Sequence, residues 1–147
     1  QRGDFHTIFD QIVEEYMAFL EELTRDDGSA SASDKLRTIF REYAHFNRTD
    51  AGMKFWDRFY YFPPEPLKDY IYDKTGKTGV FMEERLRAIF ERGVREKEFV
   101  CKDIPNTATA FYYLLMGFVM STTYVEIDVD RGIDNCVDVF LNGLRKK

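Results

Sequence analysis

The sequence is poor in the residues that staple, break or span. It has two cysteines, four prolines and a single tryptophan in 147 residues. Cys101 and Cys136 lie in unrelated contexts, so they read as two free thiols of a reducing cytosol and not as a disulfide framework. The longest nearly unbroken apolar stretch runs from Ala108 to Val119. A membrane-spanning helix needs about 20 such residues, so this stretch reads as a buried helix. No signal peptide is visible. Basic residues form no cluster: Lys and Arg alternate with Asp and Glu, and the net charge is -5. A face that neutralises nucleic-acid phosphates is therefore absent from this segment, and the same balance argues against an anionic membrane surface.

Catalytic and metal signatures are lacking too. Gly76-Lys77-Thr78 has the letters that close a phosphate loop, but the required glycine five positions earlier is Ile71. Asp128 to Gly132 has part of a calcium loop, but Arg131 stands where a third Asp or Asn belongs, and Asp138 where the loop needs Glu. Arg2-Gly3-Asp4 and the sequon Asn47-Arg48-Thr49 are short matches without a secreted context. His6 and His45 have no ligand at metal-motif spacing, and neither cysteine sits in a nucleophile context. No catalytic residue, metal or cofactor is expected, and the chain is not read as an enzyme.

What the chain has in quantity is apolar residues, 44%, and aromatic rings, 16%, mostly Phe and Tyr. A chain of this length holds one domain with a real core. Its apolar spacing is helical throughout. Phe5, Ile8, Phe9, Ile12, Val13, Tyr16, Phe19, Leu20 and Leu23 make one stripe, with Asp4 at the N-cap position. The run from Asp26 to Ser33 is a Gly/Ser loop, after which Ser33 or Asp34 caps a second helix with Leu36, Ile39, Phe40, Tyr43, Ala44 and Phe46 inward. A short aromatic helix follows from Asp50 to Tyr60 and carries Phe55, Trp56 and Phe59. Pro63 and Pro64 stop it, and Glu65-Pro66 suit the first turn of the next. The stripe Leu67, Tyr70, Ile71 resumes at Phe81, Leu86, Ile89, Phe90 and Val94. A kink or short break is expected at the intervening Gly76 and Gly79. A fifth helix starts at Asn106 or Thr107 and runs to about Val125, and a last one carries Ile133, Val137, Phe140, Leu141 and Leu144. The expected fold is all-α, six helices in one domain over residues 1–147, with no strand.

Three stretches, FHTIFDQIVEEYMAFLEEL, FPPEPLKDYI and LRAIFERGVREKEFVCKDIPNTATAFYYLLMGFVM, give the chain its likeness to a known family. In order and character they resemble the C-terminal domain of TetR-family transcriptional regulators, over essentially the whole chain. Gly76, Gly79 and the Arg95–Phe99 turn depart from the family pattern. The resemblance implies a ligand-binding and dimerisation domain whose basic helix-turn-helix head lies upstream. A start at Gln1 directly before a helix agrees with a head outside this segment. It implies a cytoplasmic homodimer, a repressor by the family's habit, that meets operator DNA through that head only.

The last two helices would then pair with their mates in a four-helix interface. The apolar residues Phe111, Leu114, Leu115, Phe118 and Val119 surround more than one face of the fifth helix, which also calls for a second covering surface. Phe111, Leu115, Phe118, Thr122, Val137, Phe140, Leu141 and Leu144 are the expected interface. The resemblance puts the ligand pocket inside each subunit, with Tyr16, Phe40, Tyr43, Phe55, Trp56, Phe59, Phe81, Tyr112, Met116 and Met120 as its candidates. Rings and methionines make an adaptable wall for a small lipophilic or aromatic ligand, and rings with carboxylates also attract cations. Ligand binding would tilt the first helix and spoil the spacing of two heads set about 34–36 Å apart on DNA. The alternatives are a small helical lipid- or acyl-binding protein or enzyme unrelated to DNA, and a pure dimerisation module. A helix-turn-helix encoded immediately upstream separates the first reading from these.

Overall fold

A computed structural model describes residues 2–49, 52, 61–122 and 125–145. The described chain is all-helical. Helix α1 is Arg2–Thr24, α2 is Ala32–Asn47, a 3-10 turn spans Glu65–Leu67, α3 is Lys68–Arg95, α4 is Ile104–Thr122 and α5 is Val129–Asn142. These are five α-helices among the described residues. The aromatic helix expected over residues 50–60 lies outside them.

Helix α2 is central and touches all four others. Its buried stripe Leu36, Ile39, Phe40, Tyr43, Ala44 follows the 3-and-4 spacing read from the sequence. Met82, Leu86, Ile89 and Phe90 of α3, Ala108, Phe111, Leu115 and Val119 of α4, and Ile133, Val137 and Leu141 of α5 close around it. A second, smaller cluster sits at the other end of α1, where Phe9 and Ile71 are fully buried with Ile12, Val13, Tyr70 and Met120 around them.

Helix boundaries differ from the sequence reading where caps decide them. Helix α1 runs from Arg2, which puts Asp4 inside it. The N-cap of α2 is Ser31, not Ser33 or Asp34: its hydroxyl accepts from the Asp34 N–H at 3.1 Å. The two remaining first-turn donors, the N–H groups of Ala32 and Ser33, are taken by the Glu98 carboxylate at 2.9 and 2.8 Å. Burial alone would raise the Glu98 pKa, but the bonds from Ser33 and Ala32 together with the Arg92 charge hold it below the usual carboxylate value. Helix α4 begins at Ile104, with Asp103 accepting from Asn106 N–H, and ends at Thr122. Asp128 caps α5 by accepting from Arg131 N–H.

The C-terminus of α3 ends in a left-handed turn at a residue that disfavours it. Lys97 has φ 63°. The Glu98 N–H bonds Gly93 O at 2.8 Å and the Lys97 N–H bonds Val94 O at 3.0 Å, the pairing of a Schellman motif, whose usual occupant at this position is glycine. A Cβ in that region costs roughly 1–2 kcal/mol. Lys97→Gly, with its side chain at the surface, is expected to raise the unfolding free energy by about 1 kcal/mol. A urea midpoint equal to or below that of the parent would contradict this.

Helix α5 is registered on α2 by an antiparallel charge ladder. Arg37 pairs with Asp138 and, at 3.0 Å, with Asp134; Arg41 reaches Asp134 at 3.5 Å; His45 lies 2.7 Å from Asp130. The acceptors step back along α5 by four residues as the donors step forward along α2 by four, so only one register satisfies all three rungs. The partners are partly exposed, so the ladder contributes alignment more than stability.

Candidate ligand cavity

Helix α3 is continuous from Lys68 to Arg95, so there is no break at Gly76 and Gly79. Each glycine still costs the helix about 1 kcal/mol relative to alanine. Their use is in what they leave out. Tyr72, Thr75, Gly76, Gly79 and Met82 share one face of α3 by their three-and-four spacing, and with Thr78 they form one wall of a cavity of about 380 Å³. Tyr16 of α1, Tyr43 of α2, and Tyr112 and Met116 of α4 form the rest. A Cβ built at Gly76 meets no atom within 4 Å; at Gly79 it would lie 3.2 Å from the Tyr112 hydroxyl. Bare backbone at these two positions thus keeps the space open and lets Tyr112 lie close to α3. Pockets for small ligands span about 300–1,000 Å³, which includes this one.

The lining is aromatic and neutral. Tyr16 donates its hydroxyl proton to the Tyr43 hydroxyl at 2.5 Å, and Tyr43 donates to Met116 Sδ at 3.3 Å. This chain links α1, α2 and α4 across the cavity. Burial first, then the neighbouring Tyr43 and Tyr112, pushes the Tyr16 phenol well above its ordinary pKa, so it stays protonated. Thr75 donates to Ile71 O at 2.9 Å and Thr78 to Thr75 O at 2.6 Å, each within its own helix. None of the ten described lining residues carries a charge.

The structure sorts the expected pocket residues into three groups. Tyr16, Tyr43, Tyr112 and Met116 line the cavity. Phe40, Phe81 and Met120 do not. Phe40 is fully buried in the main core, edge-on to Phe111 and Phe118. Phe81 lies under the Arg85 guanidinium, 4.9 Å from its ring centre. Met120 packs on the Phe9–Ile71 cluster. Phe55, Trp56 and Phe59 lie outside the described residues. Tyr72, Thr75, Gly76, Thr78, Gly79 and Met82 are additions to the sequence reading. Their signal was the shared face of glycines and threonines, which propensity alone turns into a helix break.

The expected interface needs a larger correction. Phe111, Leu115, Val137 and Leu141 are fully buried inside the chain's own core and have no surface to give a partner. Phe118 packs on Phe40, and Thr122 donates to Phe118 O. Leu144 is half-buried and packs on the main core. Of the expected set, Phe140 alone lines the open apolar groove between α4 and α5, with Ala110, Tyr113, Leu114, Asn135, Cys136 and Val139. The groove measures about 680 Å³, and Tyr113 and Val139 are 66% and 78% exposed on it.

Among the described residues no group of three or more His, Cys, Asp or Glu side chains could hold a metal ion, and no helix is long and apolar enough to cross a membrane. No protein-family model and no curated protein matches the chain.

Proposed function

We propose that this chain is the ligand-binding and dimerisation domain of a cytoplasmic, one-component transcriptional regulator of the TetR type, a repressor that a small molecule releases from operator DNA. The observation that carries the reading is the cavity itself: a long helix retains two destabilising glycines on the one face where side chains would fill it. The cavity lies between α1 and the rest of the bundle, so an occupant bears on Tyr16 and on the helix that would carry the DNA-binding head. A ligand that favours one position of α1 is thereby coupled to DNA, typically by 1–3 kcal/mol.

The second copy belongs on the groove between α4 and α5. Exposed apolar residues grouped on one face mark an association surface, and a twofold axis there would set the groove of one copy against that of the other. Val139→Glu is therefore expected to convert a dimer into a monomer at micromolar concentration by native mass spectrometry. A parent chain that is already monomeric, or a variant that stays dimeric, rejects this interface. The regulator reading is tested on the full gene product by selection from random DNA. It expects an upstream helix-turn-helix and enrichment of a palindrome with half-sites about 34–36 Å apart. A gene without such a segment, or a product that selects no DNA, moves the function to the lipid-binding or enzymatic alternative.

A further inference from the structure

Six hydroxyls belong to residues that line the cavity: those of Tyr16, Tyr43, Tyr72, Thr75, Thr78 and Tyr112. The hydroxyl protons of Tyr16, Tyr43, Thr75 and Thr78 are all donated within the protein. A hydroxyl oxygen has two acceptor positions besides its proton, so Thr75 and Thr78 keep acceptor capacity on the wall they line. The same wall has no carboxylate, ammonium or guanidinium among its described residues. An ion leaving water needs an opposite charge or a full set of hydrogen bonds to offset its lost hydration. The buried Tyr16 phenol does not supply that charge, because burial holds it protonated. Four phenol rings and two thioethers instead favour flat, polarisable surface.

We propose that the cavity takes an uncharged aromatic ligand bearing its own hydrogen-bond donor, a phenol or ring N–H, with the ring against the tyrosines and methionines and the donor on the threonine hydroxyls of α3. This specifies the ligand of the regulator reading and rests on the cavity being its binding site. It also narrows the sequence expectation, which left room for a cation.

The test uses four probes of one shape, titrated calorimetrically into the chain: 1-naphthol, 1-methoxynaphthalene, 1-naphthoate and 1-naphthylmethylammonium. Naphthol is expected to bind about tenfold more tightly than its methyl ether, the value of one hydrogen bond, and at least about tenfold more tightly than either ion. Thr75→Val combined with Thr78→Val should bring naphthol down to the methyl ether while leaving the ether unchanged. Gly76→Phe, whose Cβ meets no atom within 4 Å and whose ring would occupy the cavity, should abolish naphthol binding with the helical circular dichroism retained. An ion that binds as tightly as naphthol, and is lost in Gly76→Phe, overturns the ligand class and leaves the cavity as the site. Binding that Gly76→Phe does not disturb, or no binding by any probe, overturns the inference; the former also removes the cavity from the regulator reading.

Discussion

Replacing Phe111 with Ala is expected to lower the unfolding free energy by about 3–5 kcal/mol, because the ring is fully buried and the cavity it leaves is walled by other rings. Phe40, Phe90 and Phe140 stand edge-on or tilted to it at 5.8, 5.7 and 5.3 Å. They come from α2, α3 and α5, so the ring of α4 is where four helices meet. A loss of this size corresponds to roughly 10 °C in melting temperature for a chain of this length. The measurement also separates core from interface. If Phe111 belongs to the chain's own core, the loss is the same at every protein concentration; an interface residue would make the difference between parent and variant depend on concentration. A loss under about 1 kcal/mol would mean that the four helices close over the gap.

The second large effect is at Arg92, whose side chain is 8% exposed. Its Nε and Nη2 donate to the two oxygens of Asp26 at 2.7 and 3.1 Å, Nη2 also to Ala30 O at 2.9 Å, and Nη1 to Glu96 at 3.0 Å. The pair ties the Gly/Ser loop to the last turn of α3, beside the Glu98 carboxylate that caps α2. Removing one member of a buried pair costs about 3–5 kcal/mol, since the partner loses its compensation. Arg92→Met keeps the stem and deletes the charge, and should cost about 3 kcal/mol in urea unfolding. Adding Asp26→Asn should recover part of this, because the stranded carboxylate is gone. If the double variant is as unstable as the sum of the singles, the pair is not the source of the loss.

Much of the bundle was legible because burial follows spacing. The buried stripe of α2 and a polar loop before it are local signals, and the structure shows both, with the loop ending at the Ser31 cap. What was not legible depends on partners far along the chain. Asp26 and Arg92 are 66 positions apart, and nothing in either neighbourhood announces the pair. Glu98 looks like one more charge in Arg95-Glu96-Lys97-Glu98 until the fold brings it to the start of α2. The Ser31 cap was within reach, since Ser31-Ala32-Ser33-Asp34 has the capping-box form. Phe111 misled for a different reason. A helix apolar on several sides was taken to present Phe111 to a partner subunit, whereas α2, α3 and Phe140 of α5 cover the Phe111 side within one chain and the open side is that of Tyr113 and Leu114. Gly76 and Gly79 misled because propensity weighs a residue alone. A 28-residue helix packed on three others absorbs about 2 kcal/mol and stays continuous through them.

The two unequal apolar clusters have a consequence for the order in which the molecule comes apart. Among the described residues, the part of α1 that holds Phe9, Ile12 and Val13 packs on the small cluster, with the His6 ring stacked on Tyr70 at 4.5 Å and Asp10 accepting from the Tyr70 hydroxyl. Met116 packs on both clusters and also lines the cavity. Opening of this part of α1 exposes little oily surface, so its amides should exchange with deuterated solvent well before those of α2, in a step smaller than global unfolding. An occupant of the cavity would bear on Met116, which touches both clusters, and slow that exchange. The end of α1 nearest the expected DNA-binding head would then be the segment whose protection reports most directly on whether the cavity is filled.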